Sequence, residues 1–355
     1  MNNSLKPEFN DEIFKQNLKD KGLTTSEITK HILTKANEVK SKKGLFMVKQ
    51  ASVWIEEAKK RPIPNMLFSE FWHEGELCIL FADTNTGKSI LAVQIGNSIA
   101  LGHSIPGFKL EANSQKVLYL DFELSDKQFE VRYSENYNNH YHFCENFLRA
   151  EIDPDAEFTE GKFEEFLYSS LEKSITETQC KILIVDNITY LKNETEKAKD
   201  ALPLMKHLKA LKSKFNLSIL ALAHTPKRDA TKPINRNDLS GSKMLINFCD
   251  ASFAIGESQQ ENGARYLKQI KARNTEVKFD SENVMLCQIS KPINFLMFEF
   301  IAHANEHSHL KTLGPNQKEE LIFRAKDLQK EGKTQRQIAE ELEIGLGTVN
   351  KYLKS

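Results

Sequence analysis

The chain has 355 residues, 40% apolar and 28% charged, with Lys+Arg and Asp+Glu equal at 49 each. This is an ordinary globular composition, long enough for one large α/β domain with appendages. Its balanced charge excludes a global basic field, so any nucleic-acid contact must come from local patches. Five scattered cysteines without a C-x-x-C pair, a polar N-terminus and no apolar run near the ~18 residues of a membrane span predict a cytoplasmic protein. Its cysteines should be reduced core residues, with no secretion signal and no membrane partner.

Residues 1 to about 50 are polar and lysine-rich, with Ile28, Ile32, Leu33 and Ala36 at helical spacing, and read as a helical extension. A further helical run, Val53 to Ala58, is broken at Arg61-Pro62-Ile63-Pro64. Phe68, Phe71 and Trp72 follow as packing residues beneath the next domain.

From Leu77 an apolar strand runs into Ala82-Asp83-Thr84-Asn85-Thr86-Gly87-Lys88-Ser89, followed by the helical run Ile90 to Leu101. Strand, turn-forming loop, Gly-Lys-Ser and helix in this order are the phosphate-binding P-loop in its expected setting. Loop amides wrap phosphate at a helix N-terminus, Lys88 supplies the cation, and the Ser89 hydroxyl suits Mg²⁺. The first glycine of the usual pattern is replaced by Ala82, which fits where φ is negative. Asn85 suits a left-handed position.

A second buried strand, Val117 to Leu120, delivers Asp121 and Glu123 at its carboxyl end, where open α/β sheets bind ligands. Glu123 is a candidate general base for water, since Ser125 and Asp126 are the better caps for the next helix. Residues 134–160 read as an irregular aromatic surface insertion, and the spacing of His140, His142 and Cys144 argues against a metal site there. A helix from about Gly161 to Ile175 follows, then Ile182-Leu-Ile-Val-Asp186, a buried strand ending in a carboxylate suited to the Mg²⁺ shell.

Helix is expected around Glu196 to Phe215, then the strand Leu217 to Ala223 ending in His224-Thr225. The polar strand end could report on a γ-phosphate. Beyond it lies a basic loop with Lys227, Arg228, Lys232 and Arg236. Strands at Ala251 to Ile255 and Tyr266 to Ile270 lead to Lys271-Ala-Arg273, with a closing hairpin from Val284 to Ile289 and Phe295 to Phe300. His303, His307 and His309 fall in a polar linker.

Residues 316–355 form three short helices with a tight turn before the last, the pattern of a helix-turn-helix offering Thr348, Asn350 and Lys351 to a major groove. Seven acids against eight bases in this span predict modest DNA affinity for one copy. The expected domains are a helical extension at 1–61, an ATPase domain at 62–302, a linker at 303–315 and the helix-turn-helix at 316–355. The expected fold is a twisted, mainly parallel sheet with helices on both faces.

The motifs at Ala82 to Ser89, Asp121-Phe-Glu123, Ile182 to Asp186, His224-Thr225 and Lys271-Ala-Arg273 together resemble the RecA-like ATPases of the hexameric-helicase branch. The resemblance is strongest to RepA-type plasmid replicative helicases and related AAA-domain proteins of bacterial mobile elements. It implies ATP and Mg²⁺ as cofactors, Glu123 activating water, His224 coupling hydrolysis to DNA, and a hexameric ring. In such a ring Lys271 and Arg273 reach the neighbouring subunit's site, while Lys227, Arg228, Lys232 and Arg236 face single-stranded DNA in the channel. Duplex DNA would meet the terminal helices. The alternative function is a DNA-binding regulator or adaptor that binds ATP without separating strands.

Overall fold

The computed structural model describes residues 46–153, 155–156, 163–188, 201–225, 228–239, 242–312, 315–342 and 344–354. The expected helix within residues 1–45 lies outside them, as do Lys227 and the first residues of the helices expected from Gly161 and Glu196. The chain divides after Ile63 into two compact units. In the first, helix α1 (Ala51–Lys59) is closed by Lys49, whose Nζ lies 2.6 Å from Glu57 Oε1 and 4.7 Å from the Trp54 ring.

The second unit begins with a short hairpin, β1 (Met66–Phe68) and β2 (Trp72–His73), and is built around a nine-stranded sheet. The parallel strands are β3 (Leu77–Ala82), β4 (Val117–Asp121), β5 (Phe147–Ala150), β6 (Ile182–Asp186), β7 (Ser218–His224) and β8 (Ala251–Glu257). They stand in the order β8-β3-β7-β6-β4-β5. Three antiparallel strands, β9 (Ala264–Lys271), β10 (Val284–Ser290) and β11 (Met297–Ala304), extend the sheet beyond β8.

Every residue of β3, β4 and β6 is buried, which is why these strands read as unbroken apolar runs rather than as alternation. One sheet face packs Cys78, Leu80 and Ala82 against Leu91, Ile95 and Ile99 of helix α2 (Lys88–Leu101). The other packs Leu77, Ile79 and Phe81 with Leu171 and Ile175 of α4 (Phe163–Thr178) and Leu204, Leu208 and Leu211 of α5 (Ala201–Phe215). The short α3 (Asp126–Arg132) follows β4, and α6 (Ser242–Phe248) precedes β8. Gln94 of α2 ties the helix to β11 through both ends of its amide, donating to the Phe298 carbonyl at 2.9 Å and accepting from its N–H at 2.8 Å.

Two segments depart from expectation. Residues 134–160 are not merely a surface insertion, because they contain β5, the edge strand paired with β4. Phe143 stacks on Phe147 at 4.9 Å, and Tyr141 meets Phe295 at 4.5 Å. A four-residue strand interrupted by Arg149 carries too little periodicity to be seen without its partner. The segment after residue 303 is not a free polar linker either. β11 runs to Ala304, and a turn of 3₁₀ helix at Glu306–His309 buries the Glu306 and His309 side chains. Glu306 Oε2 lies 2.5 Å from Lys268 Nζ, a partner that sequence spacing does not reveal.

The chain ends in α7 (Pro315–Lys330), α8 (Gln335–Glu341) and α9 (Leu346–Lys354), with a small core of their own from Ala325, Leu328, Ile338, Leu342, Val349 and Tyr352. Thr334 starts α8 with a reciprocal cap, its side chain accepting from the Gln337 N–H and its own N–H donating to Gln337 Oε1 at 2.9 Å. Among the described residues no helix is long and apolar enough to cross a membrane.

Candidate nucleotide site

The carboxyl end of β3 turns directly into the loop that precedes α2. Ala82 is a buried strand residue outside the left-handed region, so the missing glycine costs nothing in backbone conformation. Asn85 is left-handed at φ 61°, and Gly87 sits at φ 101°. A Cβ on Gly87 would lie 2.7 Å from Ile289 Cδ1 and 2.9 Å from the Phe298 ring, so a side chain there would have to displace both as well as adopt a left-handed backbone. Thr86 Oγ donates to the Asp83 carbonyl at 2.8 Å, tightening the turn.

Lys88 is buried at the start of α2, its Nζ donating to the Ala82 carbonyl at 3.0 Å and the Asp83 carbonyl at 2.7 Å. Burial lowers its pKa, opposed by the nearby Asp186, Glu123 and Asp83 carboxylates. The ammonium is thus held by the loop it serves, in a cleft of ≈ 250 Å³ shared with Glu123, Arg132 and His224.

The three strands β7, β6 and β4 are neighbours, and their carboxyl ends bring together three polar side chains. His224 Nε2 lies 3.3 Å from Glu123 Oε1 and 3.0 Å from Asn187 Nδ2, and Asn187 Nδ2 also donates to Glu123 Oε1. The His224 hydrogen bond, helped by Lys88 and Asn187 against the effect of burial, holds the Glu123 carboxyl below its ordinary pKa. Asp121 fixes the turn beneath it, accepting from the Glu123 N–H at 3.2 Å and the Leu124 N–H at 3.0 Å while Arg149 Nε pairs with its other oxygen at 2.9 Å.

Asp186 is buried, and burial pushes its pKa up to about 6, against hydrogen bonds from Ser89 and from Tyr119, whose hydroxyl is 2.6 Å from Oδ2. An oxygen pair of hydroxyl and costly buried carboxylate beside a phosphate loop fits a hard divalent cation that keeps part of its water shell.

Two residues here escaped the sequence reading. Asn187 follows the strand aspartate and carries no signal of its own. Arg132 ends α3, where an arginine reads simply as a complement to the helix dipole. In the fold it lines the cleft, and its buried NH1 makes no hydrogen bond among the described residues.

Lys271 and Arg273 lie elsewhere. Lys271 Nζ donates to the Cys249 carbonyl at 2.8 Å, and Arg273 NH1 to Asp250 Oδ1 at 3.0 Å. Asp250 in turn accepts from the Leu77 N–H at the beginning of β3, so both cations sit a full strand length from Lys88 in the same chain. Of the basic loop, Arg228 and Lys232 are fixed and Arg236 is exposed. On α9, Asn350 and Lys351 are exposed and Thr348 is half-buried. Among the described residues no group of three His, Cys, Asp or Glu is placed to hold a metal, and His140 pairs with Glu130 at 2.9 Å.

A mostly parallel sheet, a lysine-bearing turn at a helix N-terminus and acids at two further strand ends define a P-loop ATPase site. A family model described as AAA domain matches residues 46–230, more than half of the chain, and the protein belongs to that family. The matched segment takes in the phosphate loop, Glu123, Asp186 and His224, and it ends before Lys271, Arg273 and the terminal helices. The family implies nucleotide-dependent ATPase activity with a divalent metal. No curated protein matches the chain.

Proposed function

We propose that this protein hydrolyses ATP with Mg²⁺ and couples turnover to DNA, as a RepA-like helicase-type ATPase in replication or mobilisation of a genetic element. Amides of the loop from Thr84 to Ser89 and the Lys88 ammonium bind the β- and γ-phosphates. Ser89 Oγ and the Asp186 carboxylate would hold the cation, which would supply positive charge to offset that developing on the nucleotide. Glu123 takes a proton from the attacking water, a role for which its lowered pKa keeps it ionised. Arg132 adds a guanidinium on the cleft wall of the same chain. Arg273 acts on the site of a neighbour in a ring.

The observation that carries the reading is the meeting of Glu123, Asn187 and His224 at three adjacent strand ends, with Glu123 and His224 lining the same cleft as Lys88. His224 and Asn187 hold the same carboxylate that must turn toward water, so movement at the end of β7 gates hydrolysis. That is the behaviour expected of a site whose turnover answers to DNA bound beyond β7. ATP turnover should rise on adding DNA and a forked duplex should be separated. Turnover indifferent to every form of DNA would remove the coupling. The second reading, a DNA-binding regulator in which ATP sets assembly, draws support from the compact terminal helices. Negligible turnover with a site-specific duplex footprint would favour it.

A further inference from the structure

The loop after β7 and the terminal helices were expected to meet different nucleic acids, single-stranded at the loop and duplex at the helices. In the fold they meet each other. A Cβ built on Gly345, in the turn before α9, would collide with Lys232 Nζ and lie 3.9 Å from Thr348 Oγ1. The loop ammonium and the first-turn hydroxyl of α9 therefore flank a single point. Asn350 and Lys351 are exposed further along α9, and Arg236 is exposed four residues beyond Lys232 in the loop.

The loop is also held from the nucleotide side. Asp83 of the phosphate loop accepts from the Thr225 hydroxyl, and its other oxygen lies 3.9 Å from Arg228 Nε. Arg228 NH1 donates to the Lys232 carbonyl at 3.0 Å. Asp229 pairs with Lys232 Nζ at 2.9 Å and accepts from the Thr231 N–H at 3.0 Å, so the turn from Asp229 to Lys232 behaves as one piece. The loop is anchored further along by the Lys311 N–H, donating to the Ala230 carbonyl at 3.0 Å, by Glu306 Oε1, accepting from the Ile234 N–H at 2.7 Å, and by Lys268 Nζ, donating to the Ile234 carbonyl at 2.7 Å.

We propose that Lys232 and helix α9 present one continuous surface to duplex DNA, and that Asp83, through Thr225 and Arg228, sets the position of the loop half of that surface. This rests on the DNA-coupled reading above. Phosphate entering beside Lys88 meets the loop that carries Asp83, and a shift of its carboxylate moves Arg228 and, with it, the Lys232 turn. The grip on duplex thus follows the nucleotide in the cleft. The turn at Gly345 leaves the ammonium room to approach α9, where a larger residue would push it aside.

The test is duplex affinity of the full chain, read by anisotropy of a fluorescent duplex across a salt series with a non-hydrolysable ATP analogue or with ADP. The wild-type chain should bind several-fold differently in the two states. Lys232→Ala should lower affinity and reduce the salt slope by about 0.9, one phosphate contact. Arg228→Ala should bind duplex but with the same affinity in both states. Arg228→Lys keeps a charge beside Asp83 while losing the link to the Lys232 carbonyl. It should also erase the difference, and serves if the alanine chain does not fold. A wild-type chain that binds duplex equally in both states overturns the link, and an unchanged salt slope in Lys232→Ala overturns the shared surface. In either case the DNA reading survives. Absence of any duplex binding overturns the shared surface as well, whereas the DNA-coupled reading falls only if ATP turnover is also indifferent to single-stranded DNA.

Discussion

Glu306 and Lys268 are both buried, and their contact at 2.5 Å joins β9 to the segment that leads to the terminal helices. Lys268 Nζ also donates to the Ile234 carbonyl and Ser281 Oγ, each at 2.7 Å, and Glu306 Oε1 accepts from the Ile234 N–H. Glu306→Ala therefore strands a buried ammonium and a loop N–H together. At an effective dielectric near 20 the pair attracts by roughly 7 kcal/mol before desolvation, and removing one partner of such a pair costs about 3–5 kcal/mol. Urea unfolding of the full chain should show a loss of that size, and Lys268→Met alone should lose a comparable amount. The double variant Lys268→Met/Glu306→Leu should recover most of it, since no charge is then left buried. A loss under about 1 kcal/mol for Glu306→Ala, or a double variant as unstable as the two single losses added, would refute the reasoning.

Lys88→Ala should abolish nucleotide binding, read by fluorescent-nucleotide titration, with an unchanged far-ultraviolet dichroism spectrum. Glu123→Gln should still bind ATP but turn it over at least ~10²-fold more slowly, the scale of a lost general base, and near-normal turnover would return Glu123 to a structural part. Arg132→Ala should lower turnover even when mixed with other inactive chains, because it serves its own cleft. Arg273→Ala should instead regain turnover when mixed with Lys88→Ala protein, since the two lesions then fall in different subunits; a fully active Arg273→Ala chain would end the case for a trans-acting arginine. Gly87→Ala should destabilise by about 1–2 kcal/mol from backbone strain alone, measured as a lowered melting midpoint, with nucleotide affinity reduced as well.

The elements buried on both faces were readable because burial writes itself into composition. β3 is apolar throughout and runs into the Gly-Lys-Ser loop, and β4 and β6 are apolar up to the aspartate that ends each. The P-loop was readable even without its first glycine, since Asn85 and Gly87 carry the unusual backbone angles. What escaped was whatever depends on a partner far along the chain. Arg149 hid β5, yet it is held there by Asp121. Arg132 and Asn187 acquire meaning only when separate strands converge on one cleft, and Lys232 only when the turn at Gly345 is folded beside it.

The contact between Gly87 and the β10–β11 hairpin bears on how this protein can be dissected. The nucleotide turn leans on Ile289 and Phe298, and Gln94 clasps the same Phe298 backbone. All three supports join residues of the matched AAA segment to strands well beyond its end at residue 230. A fragment cut at that boundary would keep every residue proposed to bind phosphate but lose the wall against which the turn is shaped, along with four strands of the sheet. A piece that keeps this wall and the buried Lys268–Glu306 pair therefore extends at least through the turn Glu306–His309, well past the end of the family match.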